Sequence, residues 1–203
     1  MGSHRNKPKR YARLAKVVAP PGALPGALAV EAGDTAAPVI RLMAYSATDY
    51  LETLVEDLHE ITPLLSSWPV IWVDIEGFGD GAILQSISKM FEVHVLALED
   101  IAHVHQRPKA EFYGEKTFFI TRMAQRTPDL KTEQVCFFLG RKFLLTFQQG
   151  APGDAFDQVR RHIRSGADVL RNAGADYLFY SLIDAIIDQF FPALEDLGDR
   201  LES

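Results

Sequence analysis

Cysteine is almost absent from this sequence: the chain has one, Cys136, inside the apolar run Val135–Leu139. No disulfide framework is possible within the chain, which fits a reducing, intracellular setting. Cys136 itself reads as a small core hydrophobe. Long apolar runs are missing too. A membrane helix needs roughly 18 uninterrupted apolar residues, and the most apolar helical segment, 177–194, is broken by Asp184, Asp188 and Pro192. Acids are missing from the first sixteen residues, which hold Arg5, Lys7, Lys9, Arg10, Arg13 and Lys16. The whole chain has a net charge of −6, so the remainder is clearly acidic. The basic stretch reads as a solvated tail with no nucleic-acid partner. No apolar core follows these charges, so they do not open a secretion signal.

What is present is a globular composition. Hydrophobic residues make up 47% of the chain and thirteen are Phe, enough for a sizeable core in one domain. Residues 17–38 hold Pro20, Pro21, Pro25 and Pro38 among Gly and Ala, and read as an arm. Val39–Tyr45 reads as a strand. Ser46, three residues before Asp49, predicts a helix start, with the helix running to about Ile61 and stopping at Pro63. Val70–Ile75 reads as a buried strand. Gly77–Gly81 is a turn, with Asp80 as N-cap of a helix through Met90. A further helix is expected over Leu96–Val104, ended by Pro108. Lys116–Arg126, Glu133–Leu139 and Lys142–Phe147 are β-rich, and the last two flank Gly140-Arg141 as a tight hairpin. Runs such as Phe143-Leu144-Leu145 require a sheet covered on both faces.

From Asp154 onward the pattern is helical. The expected fold class is α/β: a three-layer α/β/α sandwich with a mixed central sheet, followed by the start of a long stalk helix. The expected division is a tail and arm over 1–38, the sandwich over 39–174 and the helix over 175–203. In that helix Ile183, Ile187, Phe190, Leu194, Leu197 and Leu201 recur at spacings of three or four. The pattern still runs at Ser203, so a helix truncated in mid-course is expected.

Four places carry candidate chemistry. Glu99-Asp100 offers adjacent carboxylates, hard oxygen ligands that suit magnesium with several waters retained; the same pair is common on solvated helix faces. Asp184 and Asp188 are i,i+4 neighbours, and their repulsion destabilises a helix unless a cation or an arginine relieves it. His94, His103 and His105 lie near Glu99, but no cysteine accompanies them and no pair has the His-x3-His spacing of a zinc site. Gly77-Phe78-Gly79-Asp80-Gly81 follows a strand and precedes a helix, but its spacing is not that of a dinucleotide loop. No Lys-Ser/Thr pair follows it. No Ser/His/Asp nucleophile arrangement is present, so no enzyme is expected.

The segment from Glu99-Asp100-Ile101 to His105-Gln106-Arg107-Pro108-Lys109 resembles CorA-type magnesium/cobalt channels, in which a Glu-Asp pair precedes a Gln-Arg-Pro-Lys turn. Trp72-Val73-Asp74-Ile75 resembles the strand before it, and Glu111-Phe112 and Phe118-Phe119-Ile120 the strands after it. Glu133-Gln134-Val135 and Phe147-Gln148 resemble the hairpin. Ala175-Asp176-Tyr177-Leu178 and Tyr180-Ser181-Leu182-Ile183-Asp184-Ala185 resemble the start of the family's stalk helix, and Pro20-Pro21-Gly22 its N-terminal arm.

The resemblance implies a cytoplasmic domain of a homopentameric channel at the inner membrane, in which magnesium between identical subunits holds the pore closed. Cobalt and other divalent cations are accepted as well. It carries the acidic ligand role to Glu99, Asp100 and Asp184, with Asp188 one turn later. The family's partner acid farther down the stalk, its Gly-Met-Asn motif and both membrane helices have no counterpart here. The resemblance therefore places membrane contact in C-terminal helices outside this sequence and implies that this chain alone is a monomer or weak oligomer. A zinc-transporting relative is the alternative within the superfamily. A soluble nucleotide-binding enzyme and a plain oligomerisation module are alternatives of other classes.

Overall fold

The computed structural model describes residues 37–78, 81–103, 105–125, 131–150, 155–166 and 169–202. The basic tail and nearly all of the Pro/Gly-rich arm lie outside these residues, as do Asp80 and Val104. Seven strands form one sheet: β1 (Val39–Tyr45), β2 (Tyr50–Leu54), β3 (Val70–Glu76), β4 (Lys109–Tyr113), β5 (Lys116–Ala124), β6 (Thr132–Leu139) and β7 (Phe143–Gln148). Their spatial order is β2-β1-β3-β7-β6-β5-β4. The central β3–β7 pair is parallel and its neighbours are antiparallel, so the sheet is mixed.

Strand alternation splits the core into two layers. Ile71, Val73 and Ile75 of β3 join Leu145 and Phe147 of β7 in one apolar cluster. Helices α1 (Ile61–Ser67), α2 (Ala82–Phe91) and α3 (Val95–Ala102) cover this face with Ile61, Leu84, Ile87, Ala97, Leu98 and Ile101. Val70 and Trp72 of β3 point the other way, with Phe137 and Leu144. Helices α4 (Asp157–Ser165) and α5 (Ala175–Asp188) cover them with Val159, Ile163, Leu178, Leu182 and Ile186. The three-layer α/β/α sandwich with a mixed sheet is therefore the fold.

Two expectations change. The helix expected from Ser46 to about Ile61 is instead a hairpin. The Ser46 hydroxyl accepts from Asp49 N at 3.1 Å and Ser46 N donates to Asp49 O at 2.8 Å, closing a turn that returns the chain as β2. An N-cap side chain and a turn side chain make the same short-range bond, so the motif alone did not discriminate. Pro63 does not stop a helix either. It sits in the first turn of α1, where the missing N–H would have had no partner. Downstream, helix runs over Ala175–Glu202 with one interruption, at Gln189, which separates α5 from α6 (Phe190–Glu202). Pro192 lies one turn past Asp188 and cannot donate to its carbonyl, which accounts for the break.

Candidate metal site on two faces of the sheet

α3 brings the Glu-Asp pair to the surface because its other side is apolar. Ala97, Leu98, Ile101 and Ala102 are buried, while Glu99 and Asp100 are half-buried. His94 caps the helix by accepting from Leu96 N at its Nδ1, 3.3 Å away. His103 closes the other end, donating from Nδ1 to Glu99 O at 2.6 Å. Two of the three histidines are thus committed to helix ends, and no group of three His, Cys, Asp or Glu able to hold a metal occurs among the described residues.

Asp100 is held by β4. Alternation along that strand points Lys109, Glu111 and Tyr113 toward α3. Lys109 Nζ lies 2.6 Å from Asp100 Oδ2 and 2.9 Å from Glu111 Oε1. Tyr113 OH donates to Glu111 Oε2 at 2.8 Å, and the His94 ring stacks on Tyr113 with centroids 4.5 Å apart. Partial burial alone would lower the Lys109 pKa, but hydrogen bonds to Asp100 and Glu111 outweigh it and the net shift is upward. The hydrogen bond from Lys109, then that from Tyr113, holds Glu111 below the usual carboxylate range. Burial, then the bond to Glu111, pushes Tyr113 up to about 12.

Sequence reasoning missed a clamp beneath this site. Gln134, buried on β6, donates from Nε2 to Asp100 O at 3.0 Å and accepts from Gln106 N at Oε1, 2.9 Å away. One side chain thus ties the end of α3 to the loop leading to β4. The signal available in the sequence was an amide immediately before the apolar run of β6. Cys136 behaves as expected: it is buried, and burial pushes its thiol up to about 12.

Asp184 and Asp188 lie elsewhere. Both are exposed on α5, whose buried side packs into the opposite layer. The chain thus brings Glu99 next to Asp100, and Asp184 within one turn of Asp188, but puts the two pairs on opposite sides of the sheet. On α5's side lies a second feature that sequence reasoning missed. Asp74 of β3 accepts from Arg160 of α4, from Thr146 and, at 2.9 Å, from Gln148 Nε2. Trp72 Nε1 donates to Thr146 Oγ1 at 2.9 Å, and the Arg160 guanidinium lies 5.1 Å from the centre of the Trp72 ring. Residues 79 and 80 of the Gly77–Gly81 segment lie outside the described residues; at its two ends Gly77 and Gly81 have φ of 78° and 82°, a region that favours glycine.

Fold and site define an α/β/α domain carrying hard carboxylate donors on its flanking helices. A family model described as "CorA-like Mg2+ transporter protein" matches residues 69–203. The chain is 37% identical over 166 residues to the cobalt/magnesium transport protein CorA of Thermotoga maritima, a match covering 80% of this chain and 47% of that protein. The soluble domain of CorA from Methanocaldococcus jannaschii has the same fold, with a TM-score of 0.63 at 18% identity, covering 80% of this chain and 61% of that one. So does the ZntB cytoplasmic domain from Vibrio parahaemolyticus, with a TM-score of 0.59 at 10% identity, covering 81% and 64%. The chain belongs to the CorA-like Mg2+ transporter family. It spans less than half the length of the curated relatives it matches. Among the described residues no helix is long and apolar enough to cross a membrane.

Proposed function

We propose that this chain is the cytoplasmic, cation-sensing part of a magnesium/cobalt channel that assembles as a homopentamer. Glu99, Asp100 and Asp184 supply carboxylates to divalent cations held between neighbouring chains, and Asp188 adds a further acid one turn on. In this reading residues 39–174 form the sensing domain and 175–203 begin a stalk. Membrane contact and ion conduction belong to the additional length that the relatives have.

The observation that carries the reading is the separation of the two acid pairs. Each chain offers an incomplete donor set on each of two faces. A ring of chains joined head to tail brings one face against the other and completes the set at every interface. The donors are carboxylate oxygens, which fit a hard cation, and the Lys109 ammonium already occupies Asp100 as a cation would. The control is linkage: a cation that binds the closed ring more tightly than the open one shifts the population by that difference alone. The likeness to the ZntB domain concerns fold and does not favour zinc.

The test is thermal melting of the chain in magnesium against matched ionic strength. At ten times Kd, binding to the native state adds about 1.4 kcal/mol of stability. The wild type should gain a magnesium-specific increment, and Asp100→Asn with Asp184→Asn should lose it. Equal increments in both proteins would remove these acids from the site.

A further inference from the structure

The cation that already occupies Asp100 belongs to the protein. Lys109 reaches across from the edge strand β4 and places Nζ 2.6 Å from Asp100 Oδ2. The contact is open enough to exchange, since a third of the lysine side chain is exposed (33%). Lys109 is also not bound to Asp100 alone. Its second partner, Glu111 Oε1, is 2.9 Å away, and Glu111 is held in place by the Tyr113 hydroxyl. An ammonium leaving Asp100 therefore keeps one carboxylate and does not pass into bulk water unpaired.

We propose that Lys109 is a built-in competitor for the divalent cation at Asp100, with Glu111 as the partner that retains it when the cation binds. This rests on the function proposed above. A metal ion on Oδ2 would stand against the ammonium that donates to the same oxygen, and the two like charges repel at close range. On Oδ1 it would stand only a few ångströms from a like charge, where repulsion is strong in a partly desolvated setting. Binding thus includes an exchange step: Lys109 gives up Asp100 and stays on Glu111. The exchange lowers affinity and moves the concentration at which the site fills upward. Lys109 is a positioning residue here and not a metal ligand.

The experiment measures magnesium affinity by titration calorimetry at matched ionic strength, in the 203-residue chain. Lys109→Gln should tighten binding by about fivefold, the size of one partly exposed ion pair. Lys109→Arg keeps the charge and should bind as the wild type does. Lys142→Gln removes the same charge from the exposed turn before β7 and should change affinity less than twofold. Lys109→Gln combined with Asp100→Asn should lose the gain, which locates it at Asp100. Glu111→Gln should weaken binding in the wild type but have little effect once Lys109 is gone, because it acts through Lys109.

Two results overturn the proposal. If the wild type binds and Lys109→Gln binds within twofold of it, or no more tightly than Lys142→Gln, the competitor is refuted while the metal site stands. If neither the wild type nor Lys109→Gln shows magnesium binding beyond the ionic-strength effect, the site reading fails and the competitor with it.

Discussion

Two aspartates in this domain each meet a basic side chain, and their surroundings make them different objects. Asp74 and Arg160 sit between the sheet and α4 with side chains 2% exposed on both sides. Asp100 and Lys109 sit between α3 and the edge strand, 17% and 33% exposed. Buried charges have lost their water, so each depends on the other and on every added hydrogen bond. Asp74 accordingly collects donors from Arg160, Thr146 and Gln148. At the rim, water competes for both partners and the pair holds little net energy. The same chemistry thus fastens α4 to the sheet in one place and leaves an exchangeable carboxylate in the other.

The largest expected effect tests that contrast directly. Asp74→Ala should destabilise the domain by about 3–5 kcal/mol, because it takes the buried carboxylate from a buried guanidinium and leaves it the exposed Asp157, 3.0 Å away. Asp100→Ala without metal should cost no more than about 1 kcal/mol. Urea melts of both proteins make the comparison. Replacing Asp74 and Arg160 together, by Leu and Met, should recover much of the loss. Similar losses for Asp74→Ala and Asp100→Ala would end the distinction.

Next in size is the clamp between the regions. Gln134→Leu leaves Asp100 O and Gln106 N without their partner and should cost about 1–3 kcal/mol. Hydrogen exchange at the end of α3 should quicken in the same variant.

Acid provides a smaller test. Glu52 bridges β2 to α4 through Arg164, 2.7 Å away. The hydrogen bond from Arg164 lowers its pKa beneath the ordinary 4.5 despite partial burial. A carboxyl lowered on folding contributes stability that is fully present above the ordinary value. That stability is lost as pH falls through the lowered one. Glu52→Gln should therefore cost about 1 kcal/mol at neutral pH and reduce the stability lost as the pH falls from 4.5 through the lowered value. Melting temperatures across that range read both effects.

Asp184→Asn should produce the smallest change. Relieving an i,i+4 repulsion with Asp188 gains a few tenths of a kcal/mol without metal. A loss instead of a gain would mean that Asp184 already has a favourable partner.

The layered fold was legible because apolar periodicity is a local signal with a global meaning. The strands expected over 70–75, 133–139 and 142–147 are present in the sheet, as the runs of Val, Ile, Phe and Leu required. The hairpin of β1 and β2 was not legible, since Ser46 and Asp49 make bonds that serve a turn as well as a helix start. At the site, the neighbouring acids were readable from spacing alone. Their partners were not: Lys109 and Gln134 reach α3 through strand pairing, and Arg160 reaches Asp74 across 86 residues. Long-range register decides such contacts, and a sequence pattern carries little of it.

The break at Gln189 divides one run of helix into parts with different lifetimes. α5 is nailed to the sheet by Leu178, Leu182 and Ile186, so its amides can open only when that core layer opens. Past Gln189, Phe191, Leu194, Leu197 and Leu201 of α6 are exposed in the single chain, and the backbone is interrupted where cooperativity would have passed through. A short helix with its apolar side in water has little beyond its own hydrogen bonds to keep it formed. α6 amides should therefore exchange orders of magnitude faster than those of α5, from a boundary one residue wide.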